Sequence, residues 1–213
     1  MKHPTGKIWD ISQRIGPRTP LWPGEPELAV KRHAQIGEDC PVNVGSISLA
    51  LHTGTHADAP LHYSNGGAAS ADVALDAYLG PCVVTDVRHC EGRVEISDCD
   101  WSAIQGAKRV LFRTYDRFPH EAWDPEFAAI APEVIIRLRE NGTILIGTDA
   151  PSLDPQNSKT MDAHHEILSG DMRILEGLVL EAVPAGRYEL IALPLAIENA
   201  DASPVRAILR ELD

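Results

Sequence analysis

Three histidines and an aspartate crowd into the run Leu51-His-Thr-Gly-Thr-His-Ala-Asp-Ala-Pro-Leu-His-Tyr63. The four groups are His52, His56, Asp58 and His62, separated by steps of four, two and four. Side chains on extended backbone alternate faces with a period of two, so even steps predict all four groups on one side of a strand. A helix would bring His52 and His56 together but carry Asp58 away, and Gly54 and Pro60 both disfavour helix. Imidazole and carboxylate gathered on one face form the donor set for a divalent metal such as zinc. A lone histidine is ordinarily a hydrogen-bonded core or surface residue. Here three of the chain's nine histidines share one short segment, and the metal site is the favoured reading.

A centre of this kind usually needs a second, distant segment to close it. The run from Asp162 to Gly177, Asp-Ala-His-His-Glu-Ile-Leu-Ser-Gly-Asp-Met-Arg-Ile-Leu-Glu-Gly, offers His164, His165, Glu166, Asp171 and Glu176. Adjacent histidines point in different directions, so one of His164 and His165 is expected to ligate; spacing does not say which acid joins it. Glu176 lies in an apolar run, where an unpaired buried carboxylate would be costly; it either meets a cation or projects to solvent. Asp149 follows an apolar run and either supports a ligand histidine or holds the turn before Pro151, the turn being slightly favoured. Trp22, in Leu-Trp-Pro-Gly, either caps the core or stacks on a ligand.

Other chemistries lack their signatures. No Gly-x-Ser-x-Gly elbow is present. Neither phosphate-cradling glycine loop occurs. His120-Glu121 and His165-Glu166 begin a His-Glu-x-x-His pattern, but Asp124 and Ser169 stand where its second histidine belongs. Thirty-one acids against nineteen bases give a formal charge of −12, which disfavours nucleic acid and anionic membrane as partners. The four cysteines form no Cys-x-x-Cys pair and are expected to be reduced and structural. No apolar run reaches secretory or membrane-spanning length, and the cytoplasm is the expected location.

The 213 residues are expected to form one domain, residues 1–213, of mixed α/β class with a β-rich core. A short strand is expected around Ile8–Ile11, followed by a long loop punctuated by Pro17, Pro20, Pro23, Gly24 and Pro26. Gly45–His52 alternates and predicts a half-buried strand that feeds its polar face into the histidine cluster. Further strands are expected at 82–87, 109–113, 143–147 and 188–193. Pro132–Asn141 reads as a helix with proline in its first turn, a Val134, Ile135 and Leu138 stripe, and Gly142 as its stop. Ser97–Gly106 reads as a second helix, capped by Ser97.

The residues that carry the chemistry resemble a known family. His52-x-Gly-Thr-His56-x-Asp58-x-Pro60-x-His62 is similar to the signature of the metal-dependent cyclase-type hydrolases. Asp10-Ile-Ser12, Pro20–Gly24, Gly147–Pro155, Ile174–Leu178, Tyr188–Leu195 and Asp201–Arg206 look like the bacterial kynurenine formamidases (arylformamidases) within it, and the likeness runs over essentially the whole chain. Met161 is a departure, standing where that pattern has leucine. The resemblance implies a swivelling β/β/α fold, a homodimer and two divalent metals, most often zinc. His52, His56 and Asp58 would hold the first metal, Asp58 would bridge to the second, and His164 with Glu176 would complete it. His62 would be the acid/base and Trp22 would contact the substrate. The implied reaction is hydrolysis of N-formyl-L-kynurenine to L-kynurenine and formate. The alternatives are an isatin hydrolase-like lactam hydrolase of the same family and a metal-binding protein without catalysis. Manganese or iron also suits these donors.

Overall fold

The structure, a computed structural model, describes residues 6–212. In chain order its elements are β1 (Ile8–Asp10), β2 (Ala29–Ala34), β3 (Val44–Ser48), β4 (His56–Asp58), β5 (Leu79–Asp86), β6 (Arg93–Val94), α1 (Trp101–Ile104), β7 (Arg109–Arg113), β8 (Ala129–Ile130), α2 (Pro132–Glu140), β9 (Leu145–Thr148), α3 (Asp162–Ser169), β10 (Arg173–Glu176), β11 (Gly186–Ile191), β12 (Ala202–Pro204) and β13 (Ile208–Glu211). Nine strands make one sheet in the order β1-β13-β11-β5-β7-β9-β10-β4-β12. The expected β-rich mixed α/β architecture is observed.

The centre of that sheet is parallel, from β5 through β7 and β9 to β10, and both ends are antiparallel. Parallel strands need both faces covered, which explains their continuous apolar runs. Alternate residues divide between two cores. Val83, Val110, Phe112, Ile146 and Ile174 pack with Val134, Ile135 and Leu138 of α2 and with Ala163 and Ile167 of α3. Val84, Leu111, Leu145 and Leu175 face the other way and meet Leu190 and Leu209 of the antiparallel end. The sheet therefore curls, and its own end strands cover one face. Pro132 opens α2 at its first turn as expected, and Gly142 follows the helix at φ +84°.

Two expectations from the sequence are corrected. Gly45–His52 is not a half-buried strand of the main sheet. β3 ends at Ser48 and pairs only with β2, in a two-stranded ribbon whose residues stay almost wholly exposed, Ile47 at 59% and Val30 at 70%. Alternation records a two-faced strand, and this ribbon has no core on either face. Ser97 does not cap a helix over 97–106. Ile96–Asp98 is a 3₁₀ turn, and α1 starts at Trp101 beneath Asp100, whose carboxylate accepts from the Ser102 and Ala103 amides.

Candidate metal centre and active site

The antiparallel register of β4 on β10 places Glu176 opposite His56 and Ile174 opposite Asp58. Directly paired residues share a face, so His56, Asp58 and Glu176 converge from two strands. His52 precedes β4 across a tight bend at Gly54 (φ +69°), and His62 follows it on the 3₁₀ turn Pro60–His62. The even spacing is therefore realised as strand only between His56 and Asp58; bends at either end fold His52 and His62 back over it.

The sixth group comes from α3, which was not foreseen as a helix. Met161 before it offers no side-chain cap; instead the Asp154 carboxylate accepts from the Ala163 and His164 amides, 3.1 Å each. That cap orients the first turn so that His164 is buried and His165 is exposed on the opposite side. His164 is the histidine that joins the site. Glu176 is buried there as well and does not project to solvent, whereas Asp171 is exposed.

Asp58 sits at the centre. Its Oδ1 lies 3.0 Å from His52 Nδ1 and 3.4 Å from His56 Nε2, while Oδ2 lies 3.4 Å from His164 Nε2. Glu176 spans the same pair of histidines, with Oε2 3.3 Å from His56 Nε2 and Oε1 3.6 Å from His164 Nε2. Both Asp58 oxygens and His56 Nε2 are buried without a hydrogen-bond partner. Orphaned acceptors at such a density are costly unless a cation satisfies them.

Each imidazole also has its other nitrogen engaged. His52 Nε2 lies 3.1 Å from Asp201 Oδ2, His56 Nδ1 lies 2.9 Å from the Gly54 carbonyl, and His164 Nδ1 lies 2.6 Å from Asp154 Oδ2. This is how ligand histidines are oriented and made more basic at metal sites. Donors within reach of one another form two groups sharing Asp58: His52, His56 and Asp58, and Asp58, His62 and His164. The chemistry of these donors fits divalent metal binding.

The electrostatics agree. Burial alone would lower His56 and His164. The carboxylates of Asp58 and Glu176 around His56, and of Asp154 and Asp58 around His164, outweigh it and push each up to about 10. Burial would raise Asp58, yet His164, His52 and His56 hold it well below the usual carboxylate range. The cluster demands positive charge.

Asp154, not Asp149, supports His164. Asp149 instead accepts from the Thr114 amide and hydroxyl and the Tyr115 amide, so it ties the loop after β7 to the end of β9. Burial raises its carboxyl to about 6 against those three hydrogen bonds. Replacing Asp154 with asparagine is expected to weaken metal affinity roughly tenfold to a hundredfold while the protein stays folded, measured by competition with a chelator. A Gly177→Ala change is expected to strain the same centre. Gly177 stands at φ +61°, and a Cβ there would lie 2.6 Å from the Gly54 carbonyl oxygen, inside the His52–His56 bend. A stability loss of about 2 kcal/mol or more is expected in thermal melts.

A cavity of about 300 Å³ opens beside the cluster, lined in part by His52, His56, His62, His164 and Glu176. Its opposite wall is aromatic. Trp22 packs edge to face on Trp123, with ring centroids 5.3 Å apart, and against Phe127 at 6.3 Å. Trp22 thus lines the cavity and touches its apolar wall at once. Trp123, Tyr115 and Phe118 also line it. The sequence reading missed them, as it missed Asp154 and Asp201. Only the fold brings these residues to the cluster, since each is distant in sequence from the His52–His62 segment.

Residues 9–155 match the family described as putative cyclase. The chain belongs to the cyclase family. It is 64% identical to a kynurenine formamidase of Sphingopyxis alaskensis, over 97% of this chain and 99% of that protein. It is 53% identical to a kynurenine formamidase of Maricaulis maris, again over 97% and 99%. Among solved structures it resembles a potential metal-dependent hydrolase with cyclase activity at a TM-score of 0.83 and 31% identity, covering 97% of this chain and 98% of that one. The matched residues 9–155 include His52, His56, Asp58 and His62.

Proposed function

We propose that this cyclase-family chain is a metal-dependent kynurenine formamidase, hydrolysing N-formyl-L-kynurenine to L-kynurenine and formate. The observation that carries the reading is Asp58. Both its oxygens are buried, unpartnered and ringed by imidazoles, next to a cavity with an indole wall. His52, His56 and Asp58 would hold a first ion. Asp58, His164 and Glu176 would hold a second, and zinc suits these donors. Divalent ions in such a site supply Lewis acidity, which polarises a formyl carbonyl and lowers the pKa of water.

The chain's own residues do the rest. The Trp22 and Trp123 indoles bind the aryl ring and keep bulk water from it. His62 is 30% exposed at its side chain, with Nδ1 3.5 Å from Asp201 Oδ2, which leaves Nε2 to exchange protons. It takes a proton from the attacking water and returns it to the aniline nitrogen as the C–N bond breaks. A side-by-side assay tests the substrate class: the enzyme is expected to cleave N-formylkynurenine and leave the isatin lactam intact. Preferential opening of isatin would contradict the reading.

The protein is further read as one domain over residues 1–213 and as a homodimer. A sheet that joins strands from Ile8 to Glu211 supports the first. The exposed β2–β3 ribbon, with Val30, Val44 and Ile47 uncovered, supports the second. Four free cysteines suit a reducing compartment such as the cytoplasm.

A further inference from the structure

The metal cluster and the indole wall account for the formyl group and the aryl ring of the substrate. They leave its amino-acid tail, a primary ammonium beside a carboxylate, without a partner. No lysine or arginine lines the cavity among the described residues, so one chain offers the tail's carboxylate no cation there. Acidic side chains do line it outside the metal cluster: Glu25, Asp124 and Asp149.

Two of those three are already engaged. Asp124 accepts from the Tyr115 hydroxyl at 2.9 Å through Oδ2 and from the Glu126 amide at 3.0 Å through Oδ1. Asp149 accepts from Thr114 and Tyr115. Glu25 differs. Its Oε2 is buried without a hydrogen-bond partner, and it forms no ion pair among the described residues. Glu25 is half-buried, and its shielded oxygen is free to accept from a donor that a ligand brings into the cavity.

Local structure gives that oxygen a defined position. The Glu25 amide donates to the Trp22 carbonyl at 3.0 Å, closing a turn that Gly24 makes possible at φ +96°. One tight turn therefore carries the indole that holds the aryl ring and a free carboxylate three residues on. In the substrate, a short aliphatic linker likewise joins the aryl ketone to the α-carbon.

We infer that the Glu25 carboxylate is an ammonium-binding subsite that receives the α-amino group of the substrate's amino-acid tail. This rests on the formamidase reading and adds the basis on which the enzyme selects an amino acid over other formanilides. A charged primary amine donates up to three hydrogen bonds and pairs with a carboxylate far more strongly than a neutral group does. Selectivity then falls on the ammonium, and a tail bearing only a carboxylate meets an acidic wall.

The test compares N-formylkynurenine with its desamino analogue, in which hydrogen replaces the α-ammonium, on the zinc-loaded wild-type enzyme and on Glu25→Gln. Wild type is expected to show a KM about tenfold lower for N-formylkynurenine than for the analogue, the size of one charge-assisted hydrogen bond. In Glu25→Gln that advantage should vanish through a raised KM for N-formylkynurenine, with no comparable rise for the analogue. Equal KM values in wild type, or an equal rise for both substrates in the variant, would overturn the subsite while leaving the formamidase reading intact. Cleavage of neither formanilide by the zinc-loaded wild type would overturn both. Competition by L-kynurenine and desaminokynurenine against wild type gives the same comparison without any variant, and equal inhibition would again overturn the subsite.

Discussion

Replacing His62 with alanine is expected to lower turnover of N-formylkynurenine by roughly a hundredfold to ten-thousandfold and to leave metal content unchanged. The size follows from the work left undone. Without an imidazole at that position, nothing delivers a proton to the aniline nitrogen, and an anilide anion is a poor leaving group. Retention of metal is the sharper half of the expectation. The His62 ring lies 4.3 Å from that of His52 and 5.9 Å from that of His164, close enough for His62 to share Asp58 and His164 as a ligand. Its exposure and its contact with Asp201 argue for a mobile proton carrier over a buried ligand. Metal analysis of the variant separates the two roles: loss of an ion together with activity would make His62 a ligand, and near-native turnover would remove it from the mechanism.

The second large effect is expected at Asp58. Asp58→Asn should lose most of its bound metal, to roughly a tenth of the wild-type content or less, and with it all measurable hydrolysis. Both oxygens of the carboxylate face imidazole nitrogens, Oδ1 those of His52 and His56 and Oδ2 that of His164. An amide keeps one acceptor and turns an N–H₂ toward the other side, where imidazole nitrogens and a cation both need electron density. It also removes the negative charge around which three histidines are arranged. The change is nearly isosteric, so the fold should survive; far-UV circular dichroism with elemental analysis checks both points. An Asp58→Asn protein with full metal content would show that the site is organised around another group.

Much of this centre could be read from residue spacing, and the reasons differ between its parts. His52, His56, Asp58 and His62 are close in sequence, so any compact backbone path keeps them together even though only His56–Asp58 is strand. Glu176 betrayed itself as a charge in an apolar run, but its partner across β4 depended on register. His164 and His165 could not be separated until α3 was known, and α3 was hidden by its polarity; its buried face is only Ala163, His164 and Ile167. Asp154 and Asp201 act through contacts 10 and 149 residues away in sequence, which no local pattern encodes. The alternation of Gly45–His52 misled for a related reason. Period two reports a strand, and a core on one face has to come from the rest of the fold.

As proposed, the carboxylate–imidazole cluster on Asp58 holds the metal that makes this chain a formamidase. Stripping the protein with a chelator and titrating zinc back, while following N-formylkynurenine hydrolysis, tests it most directly. Activity should be absent in the stripped protein and should rise with added zinc to a plateau at about two ions per chain. Full hydrolysis by the stripped protein, or zinc bound at the plateau without hydrolysis, would contradict it.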